Sequence, residues 1–258
     1  MARFIKSFQN DAAIQAAVDD KSLGHPYVAL NDATGKIDWN GKDIDYSKMY
    51  LTIEALEDGD FNISYMKNSA YYSINNSEWV KKENTNYINL KSGDKVRVKC
   101  LQSSGVIQAY GWFWNNTIKF NVYGNVESMF FGDNFEGHNE GYRMAALFRY
   151  STGLVDASNM VMPTSIAMYD EMFNGCTSLT TAPELPATTL VENCYKQMFY
   201  DCTKLNHIKC LATDISASNC LNNWVNGVSP TGTFVKKAGV NWPTGASGIP
   251  SGWTVIEE

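Results

Sequence analysis

The sequence predicts a mainly β protein with short helices. Its expected parts are an N-terminal attachment segment, a small β-sandwich, and a short solenoid of repeats closed by a C-terminal cap. Three observations lead there. "MFNGCTSL" at Met172–Leu179 returns as "MFYDCTKL" at Met198–Leu205, 26 residues later. Residues 47–120 alternate polar and apolar, with turn residues about every 8–12 positions, as in short antiparallel strands. Charged residues make up only 19% of the 258 and aromatics 13%, with Tyr, Asn, Ser and Thr plentiful, which is not the composition of a long helical protein.

Residues 1–46 read as one unit. Asn10 or Asp11 is placed to cap a short helix ending near Ser22-Leu23-Gly24. Tyr27, Val28 and Leu30 then extend, Asn31–Gly35 turns, and Ile37-Asp38-Trp39 returns. Such a segment is too small to bury a core alone, so Phe4, Phe8, Ile14 and Trp39 need a surface to cover them. That surface is either the next domain or another protein. The early position and the turn-rich exit "GKDIDYSKM" favour an anchor or oligomerisation collar.

Residues 47–120 hold the expected sandwich. Leu51 and Ile53 share a face, as do Phe61, Ile63 and Tyr65. Turns are expected at Asn75-Asn76-Ser77 and at Ser92-Gly93-Asp94, the second followed by alternating Val96, Val98 and Cys100. In "AYGWFWNNTIKF" alternation puts Trp112 and Trp114 on one face and Phe113 on the other. Core packing and an exposed face for sugar rings or another chain are both open to the two tryptophans.

Residues 121–235 are the expected solenoid, with Ile118, Phe120 and Val122 alternating into it and Met129-Phe130 as a degenerate first unit. An earlier copy of the repeated line, "LFRYSTGL", spans Leu147–Leu154. A fixed period in the twenties marks units that cannot bury an apolar ridge alone and stack it into ladders. The ladder residues are Leu147, Phe148 and Leu154; Phe173, Cys176 and Leu179; Phe199, Cys202 and Leu205. Ser151 holds the slot of Cys176 and Cys202, Cys194 and Cys220 share another, and Trp224-Val225 follow Met198-Phe199 by 26. Cysteines in like slots point the same way, so buried thiols are expected rather than disulfides. Residues 236–258 form the expected cap, with Trp242 and Trp253 covering the last coil.

Net charge is −6 with no basic block, which argues against nucleic acid. The N-terminus lacks a signal-peptide core and no run reaches membrane-span length; the chain is expected to be made in a cytoplasm, without membrane insertion. No catalytic triad or phosphate loop is marked, and no cofactor or metal is expected. Glu136 with Glu140 and Asp170-Glu171 are carboxylate pairs in turn-like settings, and Asp133, Asn134 and Glu136 lack the spacing of a calcium loop. A non-enzymatic protein is the reading.

"MFNGCTSLTTAPELPATTLVENCY", "MFYDCTKLNHI" and the tail "NWVNGVSPTGTFVKKAG…WPTGASGIPSGWTV" resemble the BspA-like leucine-rich repeats of gut Bacteroidetes surface proteins and their phages. The resemblance covers Asn121–Glu258, and the segments "ALEDG" and "LKSGDKVRVKC" extend it upstream less specifically. "FQNDAAIQAAVDD…GHPYVALNDATGKIDWNGKDIDY" resembles the start of head-fibre or appendage proteins of crAss-like phages. That resemblance implies a virion protein held to the capsid or other virion proteins by residues 1–46. It implies a homotrimer first and a dimer second, projecting its repeats toward host glycans or surface proteins. The alternative is a bacterial cell-surface adhesin whose export signal has been removed.

Overall fold

The computed structural model describes residues 45–67, 69–100, 109–139, 142–166 and 168–258, with four short strands nearer the N-terminus. The chain is mainly β, in several sheets that do not close. It divides into two compact units, Met1–Asp45 and Tyr46–Glu258. Among the described residues no helix is long and apolar enough to cross a membrane.

The first unit holds one four-stranded sheet in the order β1-β2-β3-β4. Strand β1 (Lys6–Phe8) runs parallel to β2 (Val28–Asn31), which pairs antiparallel with β3 (Lys36–Trp39), and β3 with β4 (Lys42–Asp43). Val28 faces Trp39 and Asn31 faces Lys36, so the expected extended segment and its return form a hairpin. Phe8 and Trp39 lend their backbone to β1 and β3. Phe4, Ile14 and the expected helix from Asn10 lie outside the described residues.

The second unit begins with β5 (Thr52–Ala55), β6 (Gly59–Asn62), β7 (Ala70–Ile74), β8 (Val80–Lys81), β9 (Tyr87–Leu90) and β10 (Lys95–Cys100). Asn75 and Asn76 have φ of 52° and 62°, and Ser77 N–H closes the turn onto Ile74 O at 2.9 Å. Two successive left-handed residues suit a hairpin, and Asn tolerates that backbone better than most residues. Leu51, Ile53, Phe61, Ile63, Val96, Val98 and Cys100 are all buried, as the alternation requires. Tyr65 departs from it: β6 ends at Asn62, a turn follows, and the ring is 53% exposed.

The large sheet does not stop at residue 120. Strand β11 (Phe120–Asn125) pairs antiparallel with β5 on one side. On the other it pairs parallel with β12 (Leu154–Asp156) and β13 (Met160–Val161). The seven-stranded sheet, ordered β12-β11-β5-β10-β7-β8 with β13 beside β11, therefore runs from the alternating half into the repeated half. The two-stranded β6–β9 sheet touches it where Phe61 meets Phe120 edge-on at 5.1 Å.

Beyond β12 the pairing continues one bridge at a time. Asp156 pairs with Thr181, Thr181 with His207, and His207 with Thr233, all parallel. There β14 (His207–Cys210), β15 (Thr233–Lys236) and β16 (Thr254–Glu257) form a parallel sheet. The steps are 25, 26 and 26 residues and then 21 from Thr233 to Thr254, each laying one segment beside the previous one.

A second connection runs through the repeated line itself, as consecutive tight turns rather than a strand or helix. Every other amide bonds within its own coil and the amides between them bond to the next. Met198 N–H reaches Tyr195 O and Tyr200 N–H reaches Gln197 O, while Phe199 N–H reaches Trp224 O and Asp201 N–H reaches Asn226 O. The same scheme joins Phe148 to Met172 O at 2.8 Å and Phe173 to Met198 O at 2.9 Å. It keeps the buried backbone polar groups paired.

The first coil of this stack is not where the sequence placed it. Met129 and Phe130 lie in a four-residue helix, Ser128–Phe131. The opening rung is Ala109–Asn115, whose Phe113 N–H bonds to Leu147 O at 2.9 Å and whose ring stacks on Phe148 at 5.4 Å. The step from Phe113 to Phe148 is 35 residues because β11 and the helix are inserted, which hides this unit from a search at constant period.

Candidate binding surface

The rungs use their repeated side chains for packing. Leu147, Phe148, Leu154, Phe173, Cys176, Leu179, Phe199, Cys202 and Leu205 are all fully buried. The Phe rings form a file: Phe148 to Phe173 at 5.6 Å and 6°, and Phe173 to Phe199 at 5.5 Å and 10°. Trp224, in the slot of Met172 and Met198, continues it at 6.0 Å.

The Cys/Ser slot has a hydrogen-bonding cause. Cys176 S–H donates to Phe148 O at 3.1 Å and Cys202 S–H to Phe173 O at 3.0 Å. Ser151 O–H makes the equivalent bond to Phe113 O at 2.5 Å. The slot takes a small side chain with one donor to reach the carbonyl one rung back. All six thiols are free and buried. Burial pushes Cys100, Cys194 and Cys210 up to about 12 and Cys176 and Cys202 higher still.

Both ends of the stack are closed. At the front Asn116 donates its side-chain amide to Asn62 O and Phe113 O, at 3.1 and 3.0 Å, and accepts from Asn62 N–H. At the back Trp242 lies over Trp224 at 5.9 Å and Phe234 at 5.2 Å. Trp224 donates its indole N–H to Gly248 O, and Trp253 does so to Ser229 O, each at 2.7 Å.

Beside exposed aliphatic side chains such as Val80 and Ile256, the packing leaves an aromatic group outside. Trp112 is fully buried beside Phe113, and only Trp114 is half-buried. The alternation expected for Trp112 and Trp114 fails because Gly111 and Asn115, with φ of 63° and 59°, make this stretch a pair of turns. Trp114 is stacked by Tyr65 at 5.2 Å and flanked by Tyr150 at 6.2 Å. The Arg149 guanidinium lies 5.6 Å from the Trp114 ring and 4.7 Å from that of Tyr150, and it pairs with Glu171 at 2.6 Å. In the same rung as Trp114, Tyr110 carries Arg143 at 5.7 Å.

Four tyrosines rank among the most exposed large side chains of the described residues: Tyr65, Tyr87, Tyr110 and Tyr150. All belong to this neighbourhood. Tyr87 faces Asn62 across the β6–β9 ladder, and the Asn62 amide reaches Trp114 O at 3.0 Å. Sequence reading missed Tyr65, Arg149 and Tyr150. A signal for Tyr150 existed, since it fills a slot that is Gly175 in the next copy, where a Cβ would lie 2.5 Å from the Tyr150 ring.

Of the carboxylates singled out from sequence, Asp133 and Glu171 are engaged by neighbouring side chains. Asp133 accepts from Lys99 Nζ at 2.6 Å and from the Tyr50 hydroxyl at 2.6 Å. Asp170 is half-buried, and desolvation raises its pKa against the opposing pull of Arg143, Lys196 and Arg149. Glu136 lines a cavity of about 300 Å³ with Ser47, Glu127 and His138; Glu140 lies outside the described residues. That cavity shares no residue with the aromatic surface. Among the described residues no group of three or more His, Cys, Asp or Glu side chains is arranged to hold a metal ion. Comparison with family models, curated proteins and solved structures finds no match.

Proposed function

We propose that the chain is a non-enzymatic structural and binding protein, a head fibre or similar appendage of a bacteriophage. Residues 1–46 attach it to the virion. Its stacked coils, read as a short leucine-rich-repeat solenoid, present an adhesive surface to host glycans or surface proteins. The observation that carries this reading is the stack itself. Its repeated polar and apolar groups serve the next rung, while exposed Tyr65, Tyr87, Tyr110 and Tyr150 gather around Trp114. The resemblance of the repeats and of the N-terminal segment supports the assignment to a phage appendage. The division between Asp45 and Tyr46 supports a separable attachment unit.

Light scattering on the full chain and on a chain starting at Tyr46 tests the proposal. The expected result is a trimer, or failing that a dimer, for the full chain and a monomer for the shortened one. A monomer in both contradicts the attachment role and favours a cell-surface adhesin.

A further inference from the structure

We infer that β16 is a strap held to the stack by charge, which acid releases while the strands beneath it stay folded. Strands β14 and β15 each bury two of their four residues, but all four residues of β16 are exposed. Only one edge of β16 has a partner strand among the described residues. Apolar burial belongs instead to the residue before it. Trp253 is 7% exposed, with its indole N–H on Ser229 O. That residue is the hinge, and Thr254–Glu258 is the part that lifts.

Three lysines clasp that part. Lys236 of β15 donates to Glu257, and Lys237 lies 3.5 Å from Glu258. Lys209 of β14 bridges Glu258 and, on the preceding coil, Glu184, each at 3.0 Å. The Lys237 and Lys209 pairs are exposed ones of the kind that contribute little singly. Lys236 differs. Its side chain is only 8% exposed, and Glu257 is its one carboxylate among the described residues. Its other acceptors are the carbonyls of Val240 and Lys237. Neutralising one partner of a buried pair leaves an uncompensated charge, and lifting the strap is what lets water reach this one. Bonds from Lys236 and Lys209 hold Glu257 and Glu258 below the ordinary carboxylate range. The clasp is therefore complete above that range and is lost as pH falls through the lowered values. What remains is backbone pairing along a single edge, with Thr254 N–H on Gly232 O at 2.9 Å and Glu258 N–H on Lys236 O at 3.0 Å.

The test is hydrogen exchange of the full chain, followed by mass spectrometry and corrected for intrinsic rates. At neutral pH, Glu257→Gln should cut the protection of Thr254–Glu258 at least about tenfold, as a buried charge loses its partner. The amides of His207–Cys210 in β14 should keep theirs. Lys236→Met combined with Glu257→Gln should restore protection, because an apolar side chain then replaces the buried ammonium. At about pH 3, below ordinary carboxylate values, the wild-type strand should exchange as it does in Glu257→Gln. Lys236→Met alone should stay protected there. Unchanged protection in Glu257→Gln overturns the inference. So does loss of protection in β14 together with β16, which would make the whole cap the moving part. A double variant as exposed as Glu257→Gln alone overturns it as well.

Discussion

The carbonyl oxygen of Phe173 accepts two bonds, from the Cys176 amide at 3.0 Å in its own turn and from the Cys202 thiol at 3.0 Å on the next rung. A slot that must supply one donor and little volume accepts Cys or Ser, and the sequence shows both. The thiols are consequently inert. At about pH 8, near the pKa of a free thiol, Ellman's reagent should find almost none in the native protein and all six after denaturation. Fast labelling of native Cys176 or Cys202 would contradict their placement. Phe173→Ala removes a ring stacked on both sides and should cost about 3–5 kcal/mol in denaturant melts; a loss below about 1 kcal/mol contradicts the register. A titration effect belongs to Asp133 and Tyr50. Bonds from Lys99 and Tyr50 hold Asp133 below its ordinary pKa, so their stabilisation is present above that ordinary value and is lost as pH falls through the lowered one. Tyr50 is pushed up to about 12, first by burial and then by its bond to Asp133. Its share is complete below the ordinary tyrosine pKa and fades as pH rises toward about 12. Asp133→Asn should flatten the acid limb of the stability profile, which a pH series of melts would show.

At the scale of the element, the turns repeat a backbone as strictly as they repeat side chains. Ala146, Glu171, Gln197 and Asn223 occupy one column with φ of 55°, 56°, 53° and 50°; Tyr150, Gly175, Asp201 and Gly227 occupy the next with 58°, 74°, 55° and 79°. A left-handed non-glycine residue costs roughly 1–2 kcal/mol, and the inter-rung bonds and buried ladders hold it there. Gly175→Ala should therefore lose at least about 1–2 kcal/mol, and more because its Cβ meets the Tyr150 ring. Gln197→Gly should melt at the wild-type temperature or above, since the strain relieved is as large as glycine's entropic cost of about 0.5–1 kcal/mol. The ladder residues were legible because apolar slots recur at a constant step. This backbone was not, because Ala, Glu, Gln and Tyr carry no mark of a left-handed conformation. The front rung was hidden for a different reason: its partner lies 35 residues away, and Asn116, which closes it, is an ordinary turn residue in sequence. Asn116→Ala should cost about 1–3 kcal/mol by orphaning buried groups.

At the scale of the whole molecule, sequence reading divided the chain at 120/121, where alternation gives way to repetition. The backbone joins what the pattern separates: β11 carries antiparallel pairing to β5 and parallel pairing to β12 in one strand. The alternating half thus serves as the first layer of the stack, and Tyr46–Glu258 is one compact unit. A rigid presenting body is what the proposed appendage needs, and its rigidity depends on that junction. The most direct measurement is calorimetry of the Tyr46–Glu258 chain with and without Phe173→Ala. One cooperative transition is predicted, shifted as a whole by the substitution in the repeats. Two resolved transitions, with only the later half moving, would contradict it.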